Sequence, residues 1–160
     1  MYGKALANSK ARDSEKPTKN SAKNLTRISK RDRMNCLDSS FLIDYLEGDD
    51  GAQAWLDDRE DTMLATTTVA LYETYRGVLW SHSPMTMDDV FDTFDWATVL
   101  DFDETAARES AQIQRELREN GTPVGTPDVM IGAIVRSIGG TVVTRDSDFD
   151  YIRGVDVENY

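Results

Sequence analysis

The chain has 160 residues, with 18 Lys+Arg against 29 Asp+Glu and a formal net charge of −11, enough for one ordinary domain and too few for two. One cysteine, Cys36, and one histidine, His82, exclude an internal disulfide and any Cys/His metal site, and with them a disulfide-stapled secreted fold and a structural zinc domain. Apolar runs are a handful of residues long, far below the roughly 20 that span a bilayer, and the N-terminus shows no apolar signal region, so a cytoplasmic protein without membrane association is expected.

Charge divides the chain. Residues 1–33 hold ten of the basic residues and three of the acidic ones, a net +7 that includes every lysine. With no sustained apolar period, this segment reads as a disordered basic tail or as the product of an upstream start codon, and the strand signal directly after Met34 favours the second. Residues 34–160 keep eight basic residues, all arginines, and 26 acidic ones, a net −18. A lysine-free, acid-rich surface of this kind fits a halophilic setting, where a Debye length of about 3 Å at 1 M salt screens self-repulsion. Most of these acids are then solvated surface, and catalytic ones must be picked by position.

From Asn35 the pattern predicts a short strand to Leu37, then a helix capped by Ser39 or Ser40 with Phe41, Leu42, Tyr45 and Leu46 on one face, stopped at Gly48. A second helix over Ala52–Arg59 and a strand over Thr62–Ala65 follow. The threonines at 66–68 cap a third helix, with Val69, Tyr72, Leu79 and Trp80 expected on its packed side. Met87–Phe94 reads as a helix and Ala97–Leu100 as extended chain. Asp103 caps a long amphipathic helix through Ala107, Ala111, Ile113 and Leu117 to a stop at Asn120-Gly121. Thr126 as N-cap and Pro127 at the first helical position open a buried helix, Val129–Ile138. Gly139-Gly140 closes it, Thr141–Thr144 reads as a strand, and Gly154–Val157 as a last one.

Strands alternating with helices predict an α/β fold, a parallel sheet of about five strands flanked by helices. In such sheets ligands bind at the carboxyl ends of the strands. Asp38 follows the first strand and Asp146 the strand at 141–144, so both belong to that edge. Asp128 lies in the first turn of the helix after Thr126, and Glu73 lies within about two turns of the start of the third helix. Four carboxylates from four elements repel one another unless a cation neutralises them. Mg²⁺, or Mn²⁺, takes oxygen ligands and keeps waters, and can activate one of those waters against a phosphodiester. Against this, the helix dipole accounts for Asp128 and turn formation for Asp148 in Asp-Ser-Asp.

Four segments carry a resemblance. Cys36-Leu37-Asp38-Ser39-Ser40-Phe41-Leu42-Ile43-Asp44-Tyr45-Leu46, Glu73-Thr74-Tyr75-Arg76-Gly77, Thr126-Pro127-Asp128-Val129-Met130-Ile131-Gly132-Ala133 and Val142-Val143-Thr144-Arg145-Asp146-Ser147-Asp148-Phe149 resemble, in order, the motifs of PIN-domain ribonucleases of the VapC toxin type. The resemblance covers residues 34–160 as one PIN-like nuclease domain. It implies a metal-dependent endoribonuclease, the toxin of a type II toxin–antitoxin pair, cleaving RNA with Mg²⁺ (Mn²⁺ as the alternative). Asp38, Glu73, Asp128 and Asp146 are its acidic quartet and metal ligands, Asp148 is auxiliary, and Asp38 and Asp128 are the leading ligands. A homodimer and a cognate antitoxin protein are the implied partners. Ser39-Ser40 replaces the family's Thr-Asn, and a serine hydroxyl can still donate to Asp38. Gly132 stands where alanine is common.

Arg76, three residues beyond Glu73, and Arg145, beside Asp146, are candidates for binding the scissile phosphate, with ion pairing to the acids as their resting state. Helical spacing assigns Trp55, Trp80 and Trp96 to the core in preference to base stacking, and Cys36 to a buried strand position in preference to a nucleophile. Leu42, Tyr45, Leu46 and Trp55 fit a core or a groove for an antitoxin helix equally. Two rivals remain: a catalytically silent nucleic-acid-binding or regulatory module of the same fold, which would call for a broken quartet, and a phosphotransfer receiver, which would call for a lysine the domain lacks.

Overall fold

The computed structural model describes residues 33–59 and 62–160; the reading of residues 1–33 as a tail or an upstream start lies, Arg33 apart, outside them. Five short strands, β1 (Asn35–Leu37), β2 (Leu64–Thr67), β3 (Thr98–Leu100), β4 (Thr141–Val143) and β5 (Asp156–Glu158), form one sheet in the order β3-β2-β1-β4-β5, every pair parallel. Parallel neighbours need long crossovers, and helices supply most of them. These are α1 (Ser39–Leu46), α2 (Asp50–Asp57), α3 (Thr68–Trp80), α4 (Met87–Thr93), α5 (Glu104–Glu119) and α6 (Thr126–Ile138), with a 3₁₀ turn at Ser147–Tyr151 between β4 and β5.

The order reverses at β1. The chain builds outward from β1 through β2 to β3, then returns to lay β4 on the other side of β1. The crevice at the carboxyl ends of β1 and β4 is therefore the topological switch point, where a doubly wound sheet leaves room for a ligand. The helices pack as α1 against α2 and α3, α3 against α4, and α5 against α6, with α3 also meeting α6. Beneath them Cys36, Leu37, Val142 and Val143 of the central strands are fully buried with Phe41, Leu42, Ile131 and Val135, as expected of parallel strands covered on both faces.

Several boundaries and faces differ from the expectation, each for a local reason. Asp38, not Ser39 or Ser40, caps α1, its carboxylate accepting from the Phe41 N–H at 2.9 Å. Asp49 caps α2 in the same way through the Ala52 N–H, so that helix starts two residues early. The threonine run divides its labour: Thr66 stays in β2 and donates to the Leu37 carbonyl at 3.0 Å, while Thr67 caps α3 by accepting from the Ala70 N–H at 3.0 Å. Gly125 rather than Thr126 precedes α6, without a side-chain cap. Gly154, with φ of 79°, makes the turn before β5, which starts at Asp156.

On α3 the buried positions are Ala70 and Thr74, with Val69, Leu71, Tyr75 and Val78 packed beside them, whereas Tyr72, Leu79 and Trp80 face outward. Small side chains on the inner face let α3 approach its neighbours, so the large stripe of Tyr72, Leu79 and Trp80 lies on the solvent side, opposite to the expectation. On α5 the buried row is Ala106, Ile113 and Leu117; Ala107 and Ala111 are exposed. Trp55 is buried as expected, but Trp96 is 41% exposed and Trp80 78%, so core packing accounts for one tryptophan of three. Leu42 and Trp55 belong to the core, while Tyr45 and Leu46 are half-buried against it, and Leu46 also lines a groove with Ile43, Thr74, Gly77 and Val78. No helix among the described residues is long and apolar enough to cross a membrane.

Candidate functional site

Asp38 leaves the end of β1 almost fully buried, at 2% exposure. Both of its oxygens are held. Ser40 Oγ donates at 2.8 Å and Thr144 Oγ1 at 2.5 Å, in addition to the Phe41 N–H. Burial pushes its carboxyl up to about 6 against these hydrogen bonds, and the neighbouring Asp146 adds to the rise. Thr144 also accepts from the Asp146 N–H at 2.8 Å, so one buried hydroxyl ties the acid after β1 to the acid after β4. Asp146 in turn caps the 3₁₀ turn, its Oδ1 accepting from the Asp148 N–H at 2.9 Å, which brings Asp148 back over the sheet edge.

Asp128 enters from the first turn of α6. Ligand oxygens of Asp128, Asp146 and Asp148 lie within 4.8 Å of one another, the one such grouping of three or more metal-ligating side chains among the described residues. Burial raises Asp128 to about 7, and Asp146, Glu73, Asp148 and Asp38 each push it further in that direction. A Cβ at Gly125 would stand 3.0 Å from Asp128 Oδ2, so the residue before α6 leaves room for that carboxylate. Glu73 borders the group from α3. Its Oε2 accepts from Ser39 Oγ at 2.8 Å, and its side chain is 15% exposed. The two serines that replace Thr-Asn thus serve two acids, Ser40 holding Asp38 and Ser39 holding Glu73.

The structure therefore brings Asp128, Asp146 and Asp148 into the tightest group and sets Asp38 and Glu73 on its borders. The two arginines lie apart from one another. Arg76 stands 3.9 Å from Glu73. Arg145 turns away from Asp146: it donates to Asp44 Oδ2 at 2.8 Å and to Asp49 Oδ1 at 2.8 Å, with its guanidinium 4.3 Å from the Tyr160 ring centroid. A Cβ at Gly51 would stand 2.4 Å from that guanidinium, so glycine clears its path.

Sequence reasoning missed Thr144 as the bridge between Asp38 and Asp146, and Tyr160, whose phenol donates to Asp44 at 2.9 Å and reaches Ser40 Oγ at 3.4 Å. Thr144 carried a signal, a hydroxyl ending a buried strand one residue from an acid; Tyr160 carried none. Cys36 is fully buried, and burial followed by the nearby Asp38 pushes its thiol far up, which removes it as a nucleophile.

An all-parallel α/β domain with five carboxylates at its switch point and, among the described residues, no basic side chain hydrogen-bonded into that cluster defines the class: a protein with an oxygen-donor site at the sheet edge. Residues 36–155 match the family model of the PIN domain, well over half of the chain, and the chain belongs to that family. The tRNA(fMet)-specific endonuclease VapC of Salmonella typhimurium strain LT2 is 43% identical over 63 residues, which cover 39% of this chain and 48% of that protein. The chain thus spans about half the length of the curated relatives it matches. A crystal structure of DNA-bound VapBC from Salmonella typhimurium is 28% identical, with a TM-score of 0.70 over 79% of this chain and 98% of that one. VapBC2 from Rickettsia felis, bound to a DNA fragment from their promoter, shares the fold at 19% identity, with a TM-score of 0.72 over 79% and 98% of the two chains.

Proposed function

We propose that this protein is a divalent-metal-dependent endoribonuclease, a hydrolase acting as the toxin of a toxin–antitoxin pair. The observation that carries the reading is the acid cluster itself: ligand oxygens of Asp128, Asp146 and Asp148 within 4.8 Å, with Asp38 and Glu73 beside them. The names of its relatives, an endonuclease specific for tRNA(fMet) and VapBC complexes, support RNA as the substrate and a small antitoxin as the partner.

The residues present fit a hard cation. Every donor at the site is a carboxylate or hydroxyl oxygen, which suits Mg²⁺ or Mn²⁺ and disfavours softer metals. The raised carboxyls of Asp128 and Asp38 are the electrostatic counterpart, since a site that resists ionising without positive charge favours a cation. Asp128, Asp146 and Asp148 would hold the ion, with Asp38 and Glu73 as further ligands or as ligands through water. When bound, such an ion supplies positive charge beside a phosphodiester and lowers the pKa of a coordinated water. The chain's own part is positional: Ser40, Thr144 and the Phe41 N–H fix Asp38, and Ser39 fixes Glu73, so that the acids need no reorganisation when substrate arrives. Arg76, beside Glu73, meets the phosphate. Arg145, paired with Asp44 and Asp49, is a weaker candidate for that role.

A cytoplasmic homodimer working at high salt completes the proposal, with sedimentation of the purified chain testing its dimeric state. The activity is tested by incubating the full chain with a mixed tRNA pool in Mg²⁺, Mn²⁺ or EDTA at high salt, alongside Asp38→Asn and Asp128→Asn. Cleavage by the wild type with either metal, absent in EDTA and reduced by about a hundredfold or more in both variants, is expected. Equal cleavage by wild type and variants would overturn it.

A further inference from the structure

The exposed side of α3 has an ordered chemistry. Tyr72, Arg76 and Trp80 stand at i, i+4 and i+8, which puts them on one stripe of the helix. Tyr72 is 58% exposed and Trp80 78%. The Arg76 guanidinium lies 5.6 Å from the Tyr72 ring centroid and 5.3 Å from that of Trp80, so one cation orders both rings. The same guanidinium is 3.9 Å from Glu73, a loose ion pair longer than a hydrogen bond, and the stripe is thereby continuous with the acid cluster.

Flat aromatic faces alternating with a guanidinium are the surface that unpaired bases and their phosphates recognise, because every base has a face to stack and every linkage an anion to meet. Charge complementarity narrows the occupant further. The domain's net charge is −18, and Arg59, Arg136 and Arg145 are engaged with Glu158, with Glu109 and Glu116, and with Asp44 and Asp49. Arg76 stands beside Glu73 at the border of the acid cluster. A polyanion that must reach the acid cluster past this field has a favourable approach along α3.

We propose that Tyr72, Arg76 and Trp80 form a base-stacking track that seats a single-stranded stretch of the RNA substrate against the acidic site; this rests on the nuclease reading above. Eight residues of helix span about 12 Å, room for about three stacked nucleotides.

The test measures binding of labelled oligoadenylate to the full chain by fluorescence anisotropy with Mg²⁺, in the Asp128→Asn background so that the probe survives, and KM for RNA cleavage in the otherwise wild-type chain. Tyr72→Ala and Trp80→Ala should each weaken binding by about 5- to 100-fold and raise KM in step, while Trp80→Phe recovers most of the loss. Both side chains are exposed, so the circular dichroism and melting of the variants should match the parent. Unchanged affinity and KM in an enzyme that still cleaves, and that Asp128→Asn still silences, would overturn the track alone. Loss of binding together with a fall in sedimentation coefficient would overturn it in favour of a contact between two copies of the chain. A wild-type chain that neither binds nor cuts RNA would overturn both readings.

Discussion

Two groups of carboxylates meet at neighbouring parts of the sheet edge, and they have been treated in opposite ways. Asp44 and Asp49 face Arg145, which donates to both, and hydrogen bonding to that guanidinium holds Asp49 down to about 2. Asp38 and Asp128 face other acids, and burial with mutual repulsion lifts them to about 6 and about 7. The first group brings its cation in the sequence and becomes structure, clamping Tyr160 beside Phe41 at 4.7 Å. The second has no guanidinium hydrogen-bonded to it among the described residues, and a metal ion from outside would supply the positive charge, which is the basis of the proposed site.

The sharpest way to break this contrast is to remove one acid from each group. Asp128→Asn should abolish metal-dependent RNA cleavage, whereas Asp49→Asn should leave cleavage in place and lower the melting temperature; a cleavage assay and a thermal melt on both variants check this.

A second expectation concerns pH. Folded pKa values of about 6 and about 7, above an ordinary carboxyl's 3.8, mean that the folded protein binds protons more tightly than the unfolded chain. Without metal, the contribution of Asp38 and Asp128 to stability is present below pH 4 and lost as the pH climbs through 6 and 7. Saturating Mg²⁺ at pH 8 should raise the melting temperature, more than at pH 5, where protons compete for the same oxygens. Melts with and without Mg²⁺ at the two pH values decide it, and a larger effect at pH 5 would contradict the assignment.

Smaller effects follow from the supports. Arg145→Ala leaves Asp44 and Asp49 repelling each other and should lower the melting temperature, with the gap from wild type narrowing as salt is raised. Ser40→Ala removes one hydroxyl from Asp38, raises that carboxyl further and should reduce cleavage by several-fold, with the acid limb of its pH profile displaced upward.

Much of the fold was legible because its signals are local. The apolar β-branched runs, the Asp103 cap and Gly139 each act within one turn of chain, and the parallel sheet followed from their alternation. The acids were legible for a topological reason, since a residue just after a parallel strand must lie at the carboxyl edge. What escaped was set by packing between distant segments. Tyr72, Leu79 and Trp80 form as regular a stripe as the one that is buried, and the packing of α3 against α1, α4, α6 and β2 on the side of Ala70 and Thr74 decides between them. Asp38 and Asp49 as caps were hidden by neighbouring serines and acids with equal capping propensity. That Arg145 pairs with Asp44 and Asp49, not with the adjacent Asp146, depends on the fold setting α1 and the start of α2 beside the end of β4.

Whether the acids at the switch point jointly hold one hard cation is decided by titrating the full chain with Mn²⁺ at pH 8 and following the loss of the free ion's paramagnetic resonance signal. Saturable binding is expected for the wild type and for Asp49→Asn, weakened by at least about tenfold in Asp128→Asn. Superimposable isotherms for the wild type and Asp128→Asn would contradict it.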